Sequence, residues 1–196
     1  DSIQQDQMWM QFALAEAETA IYRTRPNPAV GCVIVKDHQI VGRGATAPVG
    51  GSHAEVFALK QAGDQAQGAT AYVTLEPCAH YGKTPPCSQL IIQQGIKKVV
   101  IGCRDPFEAV NGKGIEQLIQ AGIEVITGVL ETECIRLNQR FFCFHQLHRP
   151  FIILKWAQTA DGFMDKIREE NERGSFPISS SESRQLVHQW RSLEQA

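Results

Sequence analysis

Apolar residues in "DQMWMQFALAEAETAIY" return every three or four positions, which predicts an amphipathic helix over residues 6–22 with Asp6 as its cap. "RPNPAVG" breaks the pattern, because each proline restricts its own backbone and that of the residue before it. "AVGCVIVKD" is a continuous β-branched run and reads as a buried strand. "HQIVGRGAT" reads as its hairpin partner, with the turn at Lys36-Asp37-His38. A glycine-rich loop, "PVGGS", leads into a helix that begins near His53.

From there strand and helix alternate. "GATAYVTLEP" is a strand. "PPCSQLIIQQG" is a helix with proline in its first turn and Gly95 as its stop. "IKKVVIGC" is a strand, "GKGIEQLIQAG" a helix, "IEVITGVL" a strand, and "ETECIRLNQRFFCFHQL" a single helix. This order predicts an α/β domain with helices on both faces of a sheet, ending near residue 147. "HRPFIILKWAQTADG" then predicts a new strand, "DKIREENERGSF" a polar loop, and "SSSESRQLVHQWRSLEQA" an amphipathic helix. One strand and one helix cannot bury a core alone, so residues 148–196 read as the opening of a second domain.

Composition narrows the class. With 43% hydrophobic and 20% charged residues, the chain falls among ordinary globular proteins. A net charge of -2 without a basic cluster argues against a protein that grips nucleic acid through its phosphates. No apolar run reaches the length of a membrane span. The opening "DSIQQDQMWMQF" has neither a basic n-region nor a cleavage site, so a cytoplasmic location is expected. In that compartment the six cysteines point to metal binding or plain burial rather than disulfides. Cys32, Cys103, Cys134 and Cys143 read as buried small apolar residues.

Four residues carry the chemistry: His53, Glu55, Cys78 and Cys87. One imidazole and two thiolates suit Zn²⁺, and a set of three leaves a tetrahedral corner for water, which is the arrangement of catalytic rather than structural zinc. The ligand charges bring the site close to neutral, yet the water is still acidified. Cys87 follows Pro85-Pro86 at a helix start, where backbone N–H groups are expected to favour its thiolate. His53 is read as a ligand, and Glu55, two positions on, as a proton shuttle outside the coordination shell. The order H-x-E followed by P-C…C is that of zinc-dependent nucleobase deaminases. A disulfide or redox pair at Cys78 and Cys87 would leave "HAE" and "EPC" without a purpose.

Eight residues, "AHYGKTPP", separate the two cysteines, where the general signature has two. With "PNPAVGCVIV", "HAEVFAL", "YVTLEPCAHYGKTPPC", "DPF…VNGKGI", "AGIEV", "GVLE", "LNQRF" and "RPFIILKWAQTADG", the chain resembles the bifunctional riboflavin-biosynthesis family. In that family a diaminohydroxyphosphoribosylaminopyrimidine deaminase is fused to a 5-amino-6-(5-phosphoribosylamino)uracil reductase. The resemblance implies a three-layer α/β/α, cytidine-deaminase-like domain with a mixed sheet over residues 1–147. It implies the opening of a dihydrofolate-reductase-like domain over residues 148–196.

The resemblance further implies hydrolytic deamination of 2,5-diamino-6-ribosylamino-pyrimidin-4(3H)-one 5′-phosphate. His53, Cys78 and Cys87 match the family's zinc ligands, and Glu55 its catalytic glutamate. Asn27, His80, Lys83, Thr84, Asp105 and Asn111 match substrate-contacting positions. A phosphorylated substrate needs cationic and hydroxyl donors near the metal, and the eight-residue insert supplies them. Lys155, Thr159 and Asp161 are candidates in the reductase segment, whose NADPH-dependent activity is expected of a full-length protein and not of this chain. A homodimer or higher homo-oligomer is implied as well. Three positions depart from the family pattern: Thr46 stands where many members have histidine, Phe107 where many have asparagine, and "AQTADG" where A-x-S-L-D-G is usual. Two rival readings are a deaminase of cytosine, guanine or tRNA adenosine, and a non-catalytic zinc module that scaffolds a partner.

Overall fold

The computed structural model describes residues 2–81, 85–108, 110–174 and 176–194. The chain divides into two compact units, Asp1–Phe151 and Ile152–Ala196.

In the first unit, α1 (Ser2–Glu18) precedes the hairpin of β1 (Gly31–Lys36) and β2 (Gln39–Ala45). Asp37 and His38 at its turn both take positive φ, 49° and 59°, as a tight two-residue hairpin turn demands. Then follow α2 (Ala54–Ala62), a 3₁₀ turn (Gly63–Ala66), β3 (Thr70–Leu75), α3 (Cys87–Gln93), β4 (Lys98–Cys103), α4 (Lys113–Gln120) and β5 (Glu124–Thr127). The unit closes with α5 (Glu131–Leu137) and α6 (Gln139–Leu147). The five strands form one mixed sheet in the order β2-β1-β3-β4-β5. β1 is antiparallel to both β2 and β3, whereas β3, β4 and β5 run parallel.

Each face of the sheet carries its own core. On one face Cys32, Ile34, Val73, Val99 and Ile101 pack against Ala58 and Leu59 of α2, Ile91 of α3, and Leu118 of α4. On the other, Val33, Tyr72 and Val100 pack against Trp9 and Met10 of α1, Cys134 of α5, and Phe142 of α6. Alternate residues of the same strands serve opposite faces, which is why β1, β3 and β4 read as unbroken apolar runs. This is the expected α/β/α sandwich.

Three expectations fail locally. Asp6 does not cap α1, which begins four residues earlier. It is buried instead, accepting a 2.7 Å hydrogen bond from the Tyr72 hydroxyl and pairing with Lys98 at 3.0 Å. α1 is thereby tied to β3 and β4 by a charge that local sequence reads as a helix start. The single helix expected over residues 131–147 is broken at Asn138. The buried Asn138 side chain accepts the Ala29 N–H and donates to the Ala29 carbonyl, both at 2.8 Å. The strand expected after His148 is absent: among the described residues from 149 on, no helix or strand forms before α7.

In the second unit, α7 (Ser181–Ser192) is capped by Ser180, whose hydroxyl accepts the Ser183 N–H at 3.2 Å. None of its residues is buried. Ile153, Leu154, Trp156, Met164 and Ile167 are exposed. A strand needs a partner for its backbone groups, and among the described residues of this unit none is present. Across the described residues, no helix is long and apolar enough to cross a membrane.

Asn138→Ala leaves both backbone groups of Ala29 buried without a partner. A loss of about 2–4 kcal/mol is expected in urea unfolding followed by circular dichroism. A loss below about 0.5 kcal/mol would show that water replaces the clamp.

Candidate metal centre and active site

The metal-ligating side chains come from one strand end and two helix starts. β3 lies in the middle of the sheet, and its carboxyl end continues through Glu76-Pro77 into Cys78. α2 presents His53 as its N-cap residue, in extended conformation (φ -73°, ψ 161°), and the ring makes no capping hydrogen bond. The imidazole is therefore free to turn toward the sulfurs. α2 reaches this place because it lies directly on β2. A Cβ on Gly42 or Gly44 would fall 2.1 Å from the Ala58 carbonyl oxygen or 2.4 Å from that of Ala54. α3 presents Cys87 as its first residue, directly after Pro86. The Ser88 N–H binds the Cys78 carbonyl at 3.2 Å, so the strand end and the helix start are joined.

His53 Nδ1 lies 3.6 Å from Cys78 Sγ and 3.3 Å from Cys87 Sγ. The three donor atoms all lie within 4.8 Å of one another. Tetrahedral zinc with ordinary bond lengths sets N···S edges of roughly 3.5 Å, so the observed spacing fits that ion. None of the six cysteines is in a disulfide. Among the described residues, no fourth histidine, cysteine or carboxylate joins the group.

The electrostatics correct one expectation. The Cys87 backbone N–H donates to Cys78 Sγ at 3.3 Å. Cys78 is the favoured thiolate, held down to about 4, first by the Cys87 side chain and also by His53. Cys87 is pushed upward by that same contact and by burial. His53 is raised to about 9, first by its hydrogen bond with Cys78. Helix-start amides thus stabilise the neighbouring sulfur rather than the one on the helix. His53, Cys78 and Cys87 would hold zinc as neutral imidazole and thiolates, so its binding would be coupled to pH.

Glu55 sits in the first turn of α2 and is 3% exposed. Burial raises its carboxyl, with the charges of His53 and Cys78 acting on it in opposite directions. A carboxyl in that environment is suited to holding and passing a proton.

The remaining expected contacts lie on several different elements. Asn27 is exposed, and its backbone N–H and carbonyl are held by Thr24. His80 is exposed beyond Cys78. Lys83 and Thr84 lie outside the described residues. Asp105 is buried after β4, and its carboxylate accepts the Phe107 N–H at 2.8 Å. Its carboxyl is pushed up to about 6, first by burial, with the charges of Glu76, His80 and Cys78 also bearing on it. Asp105, Phe107 and the exposed Asn111 line a cavity of about 610 Å³, and the Phe107 ring packs 5.3 Å from that of His145. Thr46 is occupied with structure, its hydroxyl accepting the Val30 N–H at 3.1 Å. In the second unit, Lys155 and Asp161 are exposed, and Thr159 closes a turn with Phe163. Glu76, which sequence reading left without a role, accepts hydrogen bonds from the backbone around α4. Asn138, beside the Asn27 loop, was likewise missed.

The family model for the cytidine and deoxycytidylate deaminase zinc-binding region matches residues 3–103. The chain belongs to that family, and it is a zinc-dependent deaminase by both site and fold. Within the family it is similar to riboflavin biosynthesis protein RibD. It is 53% identical over 192 residues to the RibD of Synechocystis, covering 97% of this chain and 51% of that protein. A solved Acinetobacter baumannii RibD superposes with a TM-score of 0.89 at 49% identity, covering 98% of this chain and 53% of that one. A solved deaminase/reductase from Thermotoga maritima matches with a TM-score of 0.88 at 41% identity, covering 98% of this chain and 54% of that one. The chain thus spans about half the length of each of these three relatives.

Asp105 generates a pH prediction. Its folded-state pKa lies above the ordinary value of 3.8, so the folded chain holds the proton more tightly than the unfolded chain. Its contribution to stability is therefore present at low pH and is lost as pH rises from about 4 to about 6. Asp105→Asn removes this slope. The difference in urea midpoint between parent and variant should shift in favour of the variant from pH 4.5 to 6.5, because only the parent must ionise a buried carboxyl over that range. An unchanged difference would mean that Asp105 titrates normally.

Proposed function

We propose that this chain hydrolytically deaminates 2,5-diamino-6-ribosylamino-pyrimidin-4(3H)-one 5′-phosphate, releasing ammonia and 5-amino-6-(5-phosphoribosylamino)uracil. One observation carries the reading: His53, Cys78 and Cys87 form a three-donor zinc set beside the buried carboxyl of Glu55. The name of the Thermotoga maritima protein supports the substrate. So does the eight-residue insert between the cysteines, which has no counterpart in the general signature.

His53, Cys78 and Cys87 are the ligands. Zinc held there lowers the pKa of water at its open position and so supplies the nucleophile at neutral pH. Glu55 takes a proton from the attacking water and passes it to the ring nitrogen next to the amine-bearing carbon. It carries a second proton to the departing amine. A C–O bond forms, the exocyclic C–N bond breaks, and ammonia leaves with the second proton, which comes from the added hydroxyl, while the first stays on the ring nitrogen of the product. Burial of Glu55 keeps bulk water from intercepting them.

Asn27, His80, Asp105 and Asn111 orient the pyrimidine and ribose, and Lys83 and Thr84 meet the phosphate. Residues 148–196 begin a reductase domain, with Lys155, Thr159 and Asp161 in its opening segment. The whole protein then reduces the ribosyl group with NADPH. The relatives' extra length and the second unit's lack of a buried helix face support that division.

The parent chain should release ammonia from the phosphoribosylated diaminopyrimidine but not from cytosine, guanine or tRNA adenosine. Glu55→Gln should retain zinc and its circular dichroism spectrum while turnover falls by about 10²–10⁴-fold. Near-parental turnover in that variant would remove Glu55 from the mechanism and favour a scaffolding zinc module.

A further inference from the structure

Glu76 is buried, 4% exposed, at a point where a charge is costly. It stands between the end of β3 and the ligand Cys78, yet it belongs to neither the metal set nor the proton path. Its carboxylate is satisfied by backbone alone. Oε2 accepts the N–H of Asp105 at 3.3 Å and that of Gly112 at 3.0 Å. Oε1 accepts the N–H of Gly114 at 3.0 Å and that of Ile115 at 3.4 Å. The Glu76 N–H binds the Cys103 carbonyl at 3.0 Å, which fixes its main chain to the end of β4.

The geometry has a specific result. A single oxygen holds both ends of the segment 105–112, and its twin holds the first turn of α4, where helix-start amides favour a negative charge. α4 is pressed onto the same turn: a Cβ on Gly114 would lie 2.0 Å from the Pro77 carbonyl oxygen. Gly112, with φ of +88°, makes the bend that brings its amide to Glu76. The segment so closed carries Asp105, Phe107 and Asn111, and a single residue, Pro77, separates Glu76 from Cys78.

We infer that Glu76 is a positioning residue for substrate, a clasp that sets Asp105 and Asn111 relative to the zinc ligand Cys78. This rests on the reading that those two residues contact the substrate. Ordinary secondary structure does not require the clasp, because β3, β4 and α4 each have their own ladder or helix hydrogen bonds. Its effect falls on where the segment sits, and misplacement of that kind is felt in substrate binding.

Glu76→Gln keeps size and shape but turns an NH₂ group toward two of the four N–H donors. In the full chain, zinc content should be unchanged. KM for the phosphoribosylated diaminopyrimidine should rise by about tenfold, while kcat changes by less than about threefold. A KM within about twofold of the parent's, together with a lowered melting temperature, would reduce Glu76 to a purely structural role. Loss of zinc would overturn the proposal in favour of a role on Cys78.

Hydrogen exchange on the parent chain tests the clasp even if the variant does not fold. The Asp105, Gly112 and Gly114 amides should exchange at least about tenfold more slowly than unbonded loop amides. Exchange at the unprotected rate overturns the clasp. A parent chain inactive on this substrate, with those amides still protected, removes the substrate reading and the positioning role with it while leaving the clasp as a structural fact.

Discussion

Two sulfurs and one nitrogen, brought from three separate stretches, must meet around one ion. Cys78 arrives on the end of the central strand, Cys87 on the start of α3, and His53 on the start of α2. Their N···S separations of 3.3 and 3.6 Å are those of edges of a zinc tetrahedron. Two of these elements begin a helix at the site, so backbone amides already point there, and one of them stabilises the Cys78 sulfur. The chemistry needs the trio together with one carboxyl beside it, and Glu55 is there because its helix starts one residue after His53.

Much of the remaining architecture holds those three starts in place. Glycines on β2 let α2 lie against the sheet at backbone contact distance. The parallel alignment of β3 and β4 puts Cys78 and Asp105 beyond the same end of the sheet. On the opposite face, buried Asp6, paired with the partly exposed Lys98 and with Tyr72, fixes α1, and burial together with Asp6 raises the Tyr72 hydroxyl. Replacing Lys98 leaves the Asp6 carboxylate buried without its cation. Asn138 does for the Asn27 loop what Glu76 does for the Asp105 segment: a buried polar side chain from a distant element takes both backbone groups of a loop residue or the N–H groups at a loop's ends.

What the sequence made legible was the part encoded by local period and spacing. The β-branched runs, the hairpin turn at Asp37-His38, the alternation after residue 53 and the H-x-E…P-C…C order all lead to the observed elements and to the metal group. The misses have a common cause. Asp6 looks like a cap because an acidic residue before an apolar run is usually one. Its true partners lie 66 and 92 positions away. Asn138 interrupts a helical pattern for a partner 109 positions away, and no window of ten or twenty residues contains that information. Glu76 was hidden in the same way, read only as the first letter of "EPC". The strand expected near Ile152 has the right composition, but β structure is a property of pairs, and its pair is not among the described residues.

X-ray absorption at the zinc edge of the purified chain tests the central geometry most directly. The expected spectrum has two sulfurs at about 2.3 Å, one imidazole nitrogen at about 2.0 Å and one further oxygen at a similar distance. A third sulfur, or a second imidazole in place of the oxygen, would mean that a protein side chain closes the open corner, and the hydrolytic account would fail.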